Sequence, residues 1–408
     1  MNALNKGIFI SILLFAMSCE EVTEVNKHDI KQTYFFKSYG SSYESFGRYV
    51  DEINGGDILI AGVGRKGTAT DNNTLSIRRV DSHGNTVWEK DIETNEYYFC
   101  NGMRMSNGDY VFNSVYESSE IIRISPDGEV IYHRPMLQSM NNNLGYGIPI
   151  ENENGNLLVS FTNGFGLGGN SSNFIYTIDK DGAVIGSTKY NDAQFGGKIT
   201  DFKVLAFKEN AYWLTGTLYE SPFTGWGNPQ KTFVAKFEQG APQKVFIKDA
   251  GNSKERVCRV GVFSSDDGAV VVSSKTSELH DGYPLPQTFF EVTKLDENLE
   301  LLWEKKIELG VLSIEPLSMN ENSAGEYVIS GHCALGNSSG RQAFVVKLNT
   351  SGEITFSKIF DLGESIEVQY GMQTISGDYL FTGESPGFGN TIEQTNIVLL
   401  KTDKNGNR

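Results

Sequence analysis

Five histidines and four cysteines are the side chains from which nucleophilic, acid–base or metal chemistry would first be built. His28, His83, His133, His280 and His332 are scattered along the chain, and none belongs to a recognisable set of nucleophile, histidine and acid. Cys100, Cys258 and Cys333 have apolar or glycine-rich flanks. No Cys-x-x-Cys pair and no Cys/His cluster offers zinc spacing. Buried free thiols are the expectation, with one disulfide and one thiol left over as the alternative for an exported chain. Asp179-Lys180-Asp181-Gly182 begins like a calcium loop. It lacks a third acidic ligand and a distal Glu, so it reads as a hairpin. The expectation is therefore a protein without metal or cofactor, and not an enzyme.

Binding chemistry is better represented. Phe165, Tyr219, Phe223, Trp226, Tyr283 and Phe388 fall in long segments rich in Gly, Asn, Ser and Pro, at 162–173, 217–230, 275–287 and 384–396. A further segment of this kind runs from 62 to 73. Aromatic rings beside amides and carboxylates suit sugar stacking, and they suit protein hot spots equally well. The plainer reading is that these rings pack their own loops. A net charge of −16 and a pI near 4.9 argue against a nucleic-acid partner, which needs clustered Lys and Arg. The expected partner is a protein or a glycan, bound by a monomer acting as a binding or scaffold module. Glycan capture at a cell surface is the second reading and a hydrolase the third.

The elements that would position these loops repeat. An apolar strand entered from a turn residue recurs every 47 to 58 residues: GDILIAG from Gly56, GDYVFNS from Gly108, GNLLVSF from Gly155, NAYWLTG from Asn210, GAVVVSS from Gly268, GEYVISG from Gly325 and GDYLFTG from Gly377. Each is followed by a variable segment and a second strand ending in a turn, as in FIYTIDKDGA and FVVKLNTSGE. A third strand follows the turn, such as 86–93 or 301–308, and a weaker one precedes the unit. Four antiparallel strands per repeat, with no helical period, predict an all-β, seven-bladed β-propeller. Small residues in the weak strand, Gly47, Gly102, Gly147, Gly261 and Gly371, suit the crowded axis. The variable segments then leave from one face, and binding usually sits on such loops.

The seventh unit ends at the Asn405-Gly406 turn, where both residues are expected at positive φ, and has no outer strand. Residues 33–40 (TYFFKSYG) belong to no unit of their own. The expectation is that this N-terminal strand completes the last blade and removes both open edges. The propeller then runs from 33 to 408, with 19–32 as a polar tether.

Some stretches resemble known families. Asp81 to Trp88 (DSHGNTVW) and Asp296 to Trp303 (DENLELLW) resemble the repeats of quinoprotein-like and WD40-like propellers, in which a tryptophan packs between blades. Tyr132, Phe246 and Phe356 stand near the same place in other repeats, and Gly186 takes it in the third. The resemblance implies fold and not chemistry. Quinoprotein dehydrogenases have eight blades and often adjacent cysteines, which are lacking here. The sialidase Asp-box puts its Asp two residues before the Gly, whereas Asp81 is three before Gly84. At the N-terminus, Lys6 precedes an apolar stretch, Gly7 to Met17, that is too short to span a bilayer. Ala16-Met17-Ser18-Cys19 resembles a bacterial lipobox. That resemblance implies a signal peptide over 1–18, lipid attachment at Cys19, and an outer-membrane lipoprotein of the cell envelope, periplasmic or surface-exposed. The propeller lipoprotein of the outer-membrane barrel-assembly machinery is a precedent, with eight blades.

Overall fold

The computed structural model describes residues 34–408 apart from 40–43, 54, 66–72, 95–98, 115–119, 137–146, 164–171, 192–193, 196, 220–229, 239–240, 249–254, 277–278, 281–282, 285–287, 336–339, 364 and 387–394. Seven sheets of four antiparallel strands form a ring, with no α-helix among the described residues. Blades one to six span 44–94, 99–135, 150–191, 198–248, 255–308 and 313–360. Blade seven is assembled from both ends of the chain. Its first three strands, Glu367–Gln373, Tyr379–Pro386 and Thr395–Thr402, are followed in space by Phe35–Tyr39. That N-terminal strand pairs antiparallel with Thr395–Thr402, from Phe35 opposite Lys401 to Tyr39 opposite Ile397, as the orphan segment 33–40 led one to expect.

The burial pattern follows position in the blade. Middle strands have neighbouring blades on both faces, so Tyr110–Ser114 and Glu120–Ile124 are buried at every residue. The outer strands Thr86–Thr94 and Leu301–Glu308 alternate and leave one face to solvent.

The turns joining third and outer strands share one geometry. Asp81 Oδ1 accepts the backbone N–H groups of His83 and Asn85 at 2.9 and 2.8 Å, and Gly84 takes φ of 74°. Asp179, Asp296, Asn349 and Asp403 repeat this Asx arrangement. In the last turn only Gly406 has positive φ, at 70°, and Asn405 does not. The turn is longer than a two-residue hairpin, because the bond from Asp403 N–H reaches Asn407 O.

These glycines do a second job. An aromatic ring from the outer strand of one blade lies on the turn glycine of the next: Trp88 on Gly128, Tyr132 on Gly182, Trp303 on Gly352, Phe356 on Gly406, and Phe35 on Gly84. A Cβ on Gly352 would stand 2.8 Å from the Trp303 indole, so the glycine permits the contact. The acid that opens three of the inner apolar strands is also explained. Asp57, Asp109 and Glu326 pair with Arg79, Arg123 and Lys347 of the third strand at 2.8, 2.7 and 2.9 Å.

Axial glycines are required by the neighbouring blade. A Cβ on Gly47 would stand 2.3 Å from Thr382 Oγ1 and 2.7 Å from Gly383 O in blade seven. One on Gly371 would stand 2.5 Å from Ser330 Oγ in blade six. Gly47→Ala is therefore expected to cost about 1–3 kcal/mol by overpacking the junction of blades one and seven. Denaturant midpoints measure this, and an unchanged midpoint would show that the junction yields.

Candidate functional site

The innermost strands carry a repeated irregularity. The pairing register slips between Gly47 and Tyr49, Cys258 and Val260, Pro316 and Ser318, and Val368 and Tyr370. Each slip is a β-bulge, which re-aims the extra residue and commonly borders a functional site. The extra residues are Arg48, Arg259, Leu317 and Gln369. They lie toward the end of the strand pair from which the variable segments 66–72, 277–288, 336–339 and 387–394 depart. That end is the mouth of the axis on the long-loop face.

Three bulge residues adjoin a cluster of acids. In blade six, Glu315 and His332 are direct cross-strand partners, and His332 Nε2 lies 2.9 Å from Glu315 Oε2. His332 is 3% exposed, and its Nδ1 faces Val368 O of blade seven at 3.3 Å. The His332 hydrogen bond, aided by Arg259 and Arg341, holds the Glu315 carboxyl down at about 2. Glu315 is thus fixed as a carboxylate and occupied.

In blade seven, Glu384 faces Glu367 across the strand pair. Burial, together with the like charge of Glu367, pushes the Glu384 carboxyl up to about 7, against the opposing pull of Arg48, Gln369 and His332. Glu367 itself is tied to Arg341 at 2.8 Å. Two carboxyl groups at one mouth are thereby driven apart, one locked in its charged form and one poised near neutrality. That divergence marks acid–base sites. Glu384 is the carboxyl whose charge changes near neutral pH, while Glu315 stays ionised nearby.

Further along the innermost strands, aromatic residues join neighbouring blades. Tyr49 and Tyr370 meet with ring centroids 5.2 Å apart, and Tyr370 OH donates to Asn320 Oδ1 at 2.9 Å. Tyr110 OH donates to Asp51 Oδ2 at 3.0 Å.

The six aromatic positions expected to form a binding face are not seen together. Tyr219 ends the second strand of blade four and is only 5% exposed. That burial corrects its reading as an exposed ring. Tyr283 sits in a two-residue hairpin, where its backbone pairs with His280, and its side chain lies outside the described residues. Phe165, Phe223, Trp226 and Phe388 also lie outside the described residues, as do Cys19 and the side chain of Cys100. Cys258 and Cys333 are buried thiols outside any disulfide, and burial pushes the Cys333 thiol up to about 12. Sequence reasoning missed Arg48, Arg259, Glu315, His332 and Glu384. The available signal was a charged residue beside the axial small residue, as in Gly47-Arg48 and Cys258-Arg259.

No protein-family model matches the sequence, and no curated protein is significantly similar to it. Among solved structures, the chain is similar to the polysaccharide lyase Uly1, with a TM-score of 0.56 and 9% identity over 94% of each chain. More distant are a protein of unknown function from Dyadobacter fermentans DSM 18053, at 0.44 and 10% over 90% of this chain and 99% of that one, and an ACO/RPE65 chimera, at 0.43 and 11% over 71% and 70%. At such identities the likeness is one of fold. It nevertheless overturns the expectation that the chain is not an enzyme: a lyase is built on a comparable fold over nearly its whole length, so the ring is no sign of a purely passive scaffold. The histidines were discounted because their repeat positions are unrelated, but proximity is set by strand pairing and blade packing: His332 meets Glu315 across its own blade and Val368 in the next.

Proposed function

We propose that the protein cleaves an acidic polysaccharide at the axis mouth by elimination, with Glu384 as the proton-abstracting base. The observation that carries this is the juxtaposition, across blades six and seven, of a carboxyl poised near neutrality with the occupied His332–Glu315 pair. In the step, the Glu384 carboxylate takes the proton from the carbon next to a uronate carboxyl. The electron pair forms a carbon–carbon double bond, the neighbouring C–O bond breaks, and the departing oxygen takes a proton from water, whose hydroxide is neutralised by the proton that Glu384 then releases. Hydrolysis fits less well because it calls for two available carboxyl groups flanking the bond. Here Glu315 is held by His332 and Glu367 by Arg341. The lyase activity named for Uly1 favours the same reading. The segment Ala16 to Cys19 supports a lipid-anchored location on the cell envelope, where such polymers would be met.

The test is incubation with polygalacturonate, alginate, chondroitin sulfate and neutral dextran. The expected result is new ultraviolet absorbance from a conjugated double bond, rising with reducing ends, on an acidic polymer. Reducing ends without that absorbance would mean hydrolysis and refute the elimination. Inertness toward every acidic polymer would count against the reading as a whole.

A further inference from the structure

The two bulge arginines differ from the other partly or wholly buried arginines of the described residues. Arg78, Arg79, Arg104 and Arg123 each face a carboxylate within 3.6 Å: Glu89, Asp57, Asp51 and Asp109. Arg48 and Arg259 have no such ion pair among the described residues. Arg48 lies over the Phe46 ring, 5.8 Å from its centroid. Arg259 donates from Nε to Ser274 Oγ at 2.8 Å, and its two terminal nitrogens have no partner among the described residues. Its backbone carbonyl is held in turn by Lys203 Nζ of blade four at 2.6 Å. Each guanidinium is thus positioned by its surroundings with its forked donors left over. A planar fork of this kind matches a carboxylate or sulfate.

The two occupy the same bulge position in blades one and five. Between them lie the acids of blades seven and six. Arg48 acts on Glu384 and Arg259 on Glu315. Around the ring the order is cation, poised carboxyl, occupied His–Glu pair, cation. We infer that Arg48 and Arg259 are two anion seats at opposite ends of the mouth, filled together by one polyanionic chain whose acidic groups recur along its length. This rests on the reading of the mouth as a polysaccharide site and adds to it the direction of the chain, from blade five across blades six and seven to blade one. Gln369, at the same bulge position in blade seven, supplies an uncharged contact between the seats.

The experiment measures calorimetric binding to the full chain carrying Glu384→Gln, which slows turnover. The probes are polygalacturonate oligomers of increasing length, dextran sulfate and dextran. The expected result is binding of the two anionic probes and none of dextran, with a steep gain in affinity once an oligomer is long enough to reach both seats. Arg48→Ala and Arg259→Ala should each weaken binding about ten-fold and flatten its salt dependence, and Arg→Lys should recover part of the loss. For short oligomers only one of the two substitutions should matter. Unchanged melting temperatures show that the variants are folded. Equal affinity for dextran, or variants that bind as the parent does, overturns the two seats. The two readings fail separately. Length-dependent binding without cleavage by the unsubstituted protein sinks the chemistry and keeps the seats, whereas cleavage indifferent to both arginines sinks the seats and keeps the chemistry.

Discussion

Deleting residues 33–40 should lower the melting temperature of the protein by roughly ten degrees or more. The strand Phe35–Tyr39 pairs along five register positions with Thr395–Thr402 and buries Phe35 and Tyr39 to 9% and 8% exposure. Two aromatic side chains at about 2–3 kcal/mol each put the loss near 5 kcal/mol before any exposed edge is counted. The strand also fastens the neighbouring blade. Tyr39 OH donates to Gly84 O at 2.8 Å, Lys37 Nζ reaches Asn85 Oδ1 at 3.1 Å, and Phe35 covers Gly84. Without it Thr395–Thr402 becomes an unpaired edge open to other chains, so aggregation should accompany the loss. Deleting 20–32 is expected to leave unfolding unchanged. A peptide spanning 33–40 should restore part of the stability of the truncated protein. If thermal unfolding of the truncated chain matched that of the parent, the ring would not depend on its closure.

Glu384→Gln should lower turnover by orders of magnitude while making the protein more stable in mild alkali. The carboxyl ionises near 7 in the folded chain, against an ordinary value of 4.5. The folded state therefore binds the proton more tightly than the unfolded state. The stability this confers is fully present below about 4.5 and is lost as pH rises through 7. At pH 8 the ionised, half-buried carboxylate costs on the order of 1–3 kcal/mol, after allowance for its partial contact with water. The amide removes that cost, so the variant's melting temperature should exceed the parent's at pH 8 and match it near pH 4. Losing the base should lower turnover by about 10²–10⁴. Glu315 works in the opposite sense. Its depressed carboxyl contributes stability above about 4.5 that disappears as pH falls toward 2. Equal melting temperatures for parent and Glu384→Gln at every pH would show that Glu384 is not held near neutrality.

The two residues also show which parts of the molecule could be read from the chain alone. Blade count and closure were legible because they rest on local signals. Most turns announce themselves through an Asx residue and a glycine, each inner strand through an apolar run, and an orphan strand at one end matches a missing strand at the other. The outer aromatics were legible too, since Trp88, Tyr132, Trp303 and Phe356 hold one place in the repeat. Glu384 and Glu315 were not legible. Each becomes chemically distinct through groups brought by other strands and blades: Glu367 and Arg48 for the first, His332 and Arg259 for the second. No spacing along the sequence encodes that meeting, and the bulges that aim Arg48 and Arg259 depart from the regular period on which strand reading depends. Tyr219 failed for a related reason. It lies at the end of a strand and inside a Gly-rich segment at once, and only packing decides which governs.

The contact of each outer aromatic with the following blade's glycine runs the same way round, from blade one to two, two to three, five to six, six to seven, and seven back to one. Chemically the domain is a head-to-tail cyclic oligomer whose subunits happen to share a backbone. In such an assembly the break in the polypeptide has no privileged address. Phe35 on Gly84 is the same joint as Trp88 on Gly128, except that nothing covalent accompanies it around the outside. The N- and C-terminal strands therefore mark where the chain was cut, while the ring itself has neither beginning nor end.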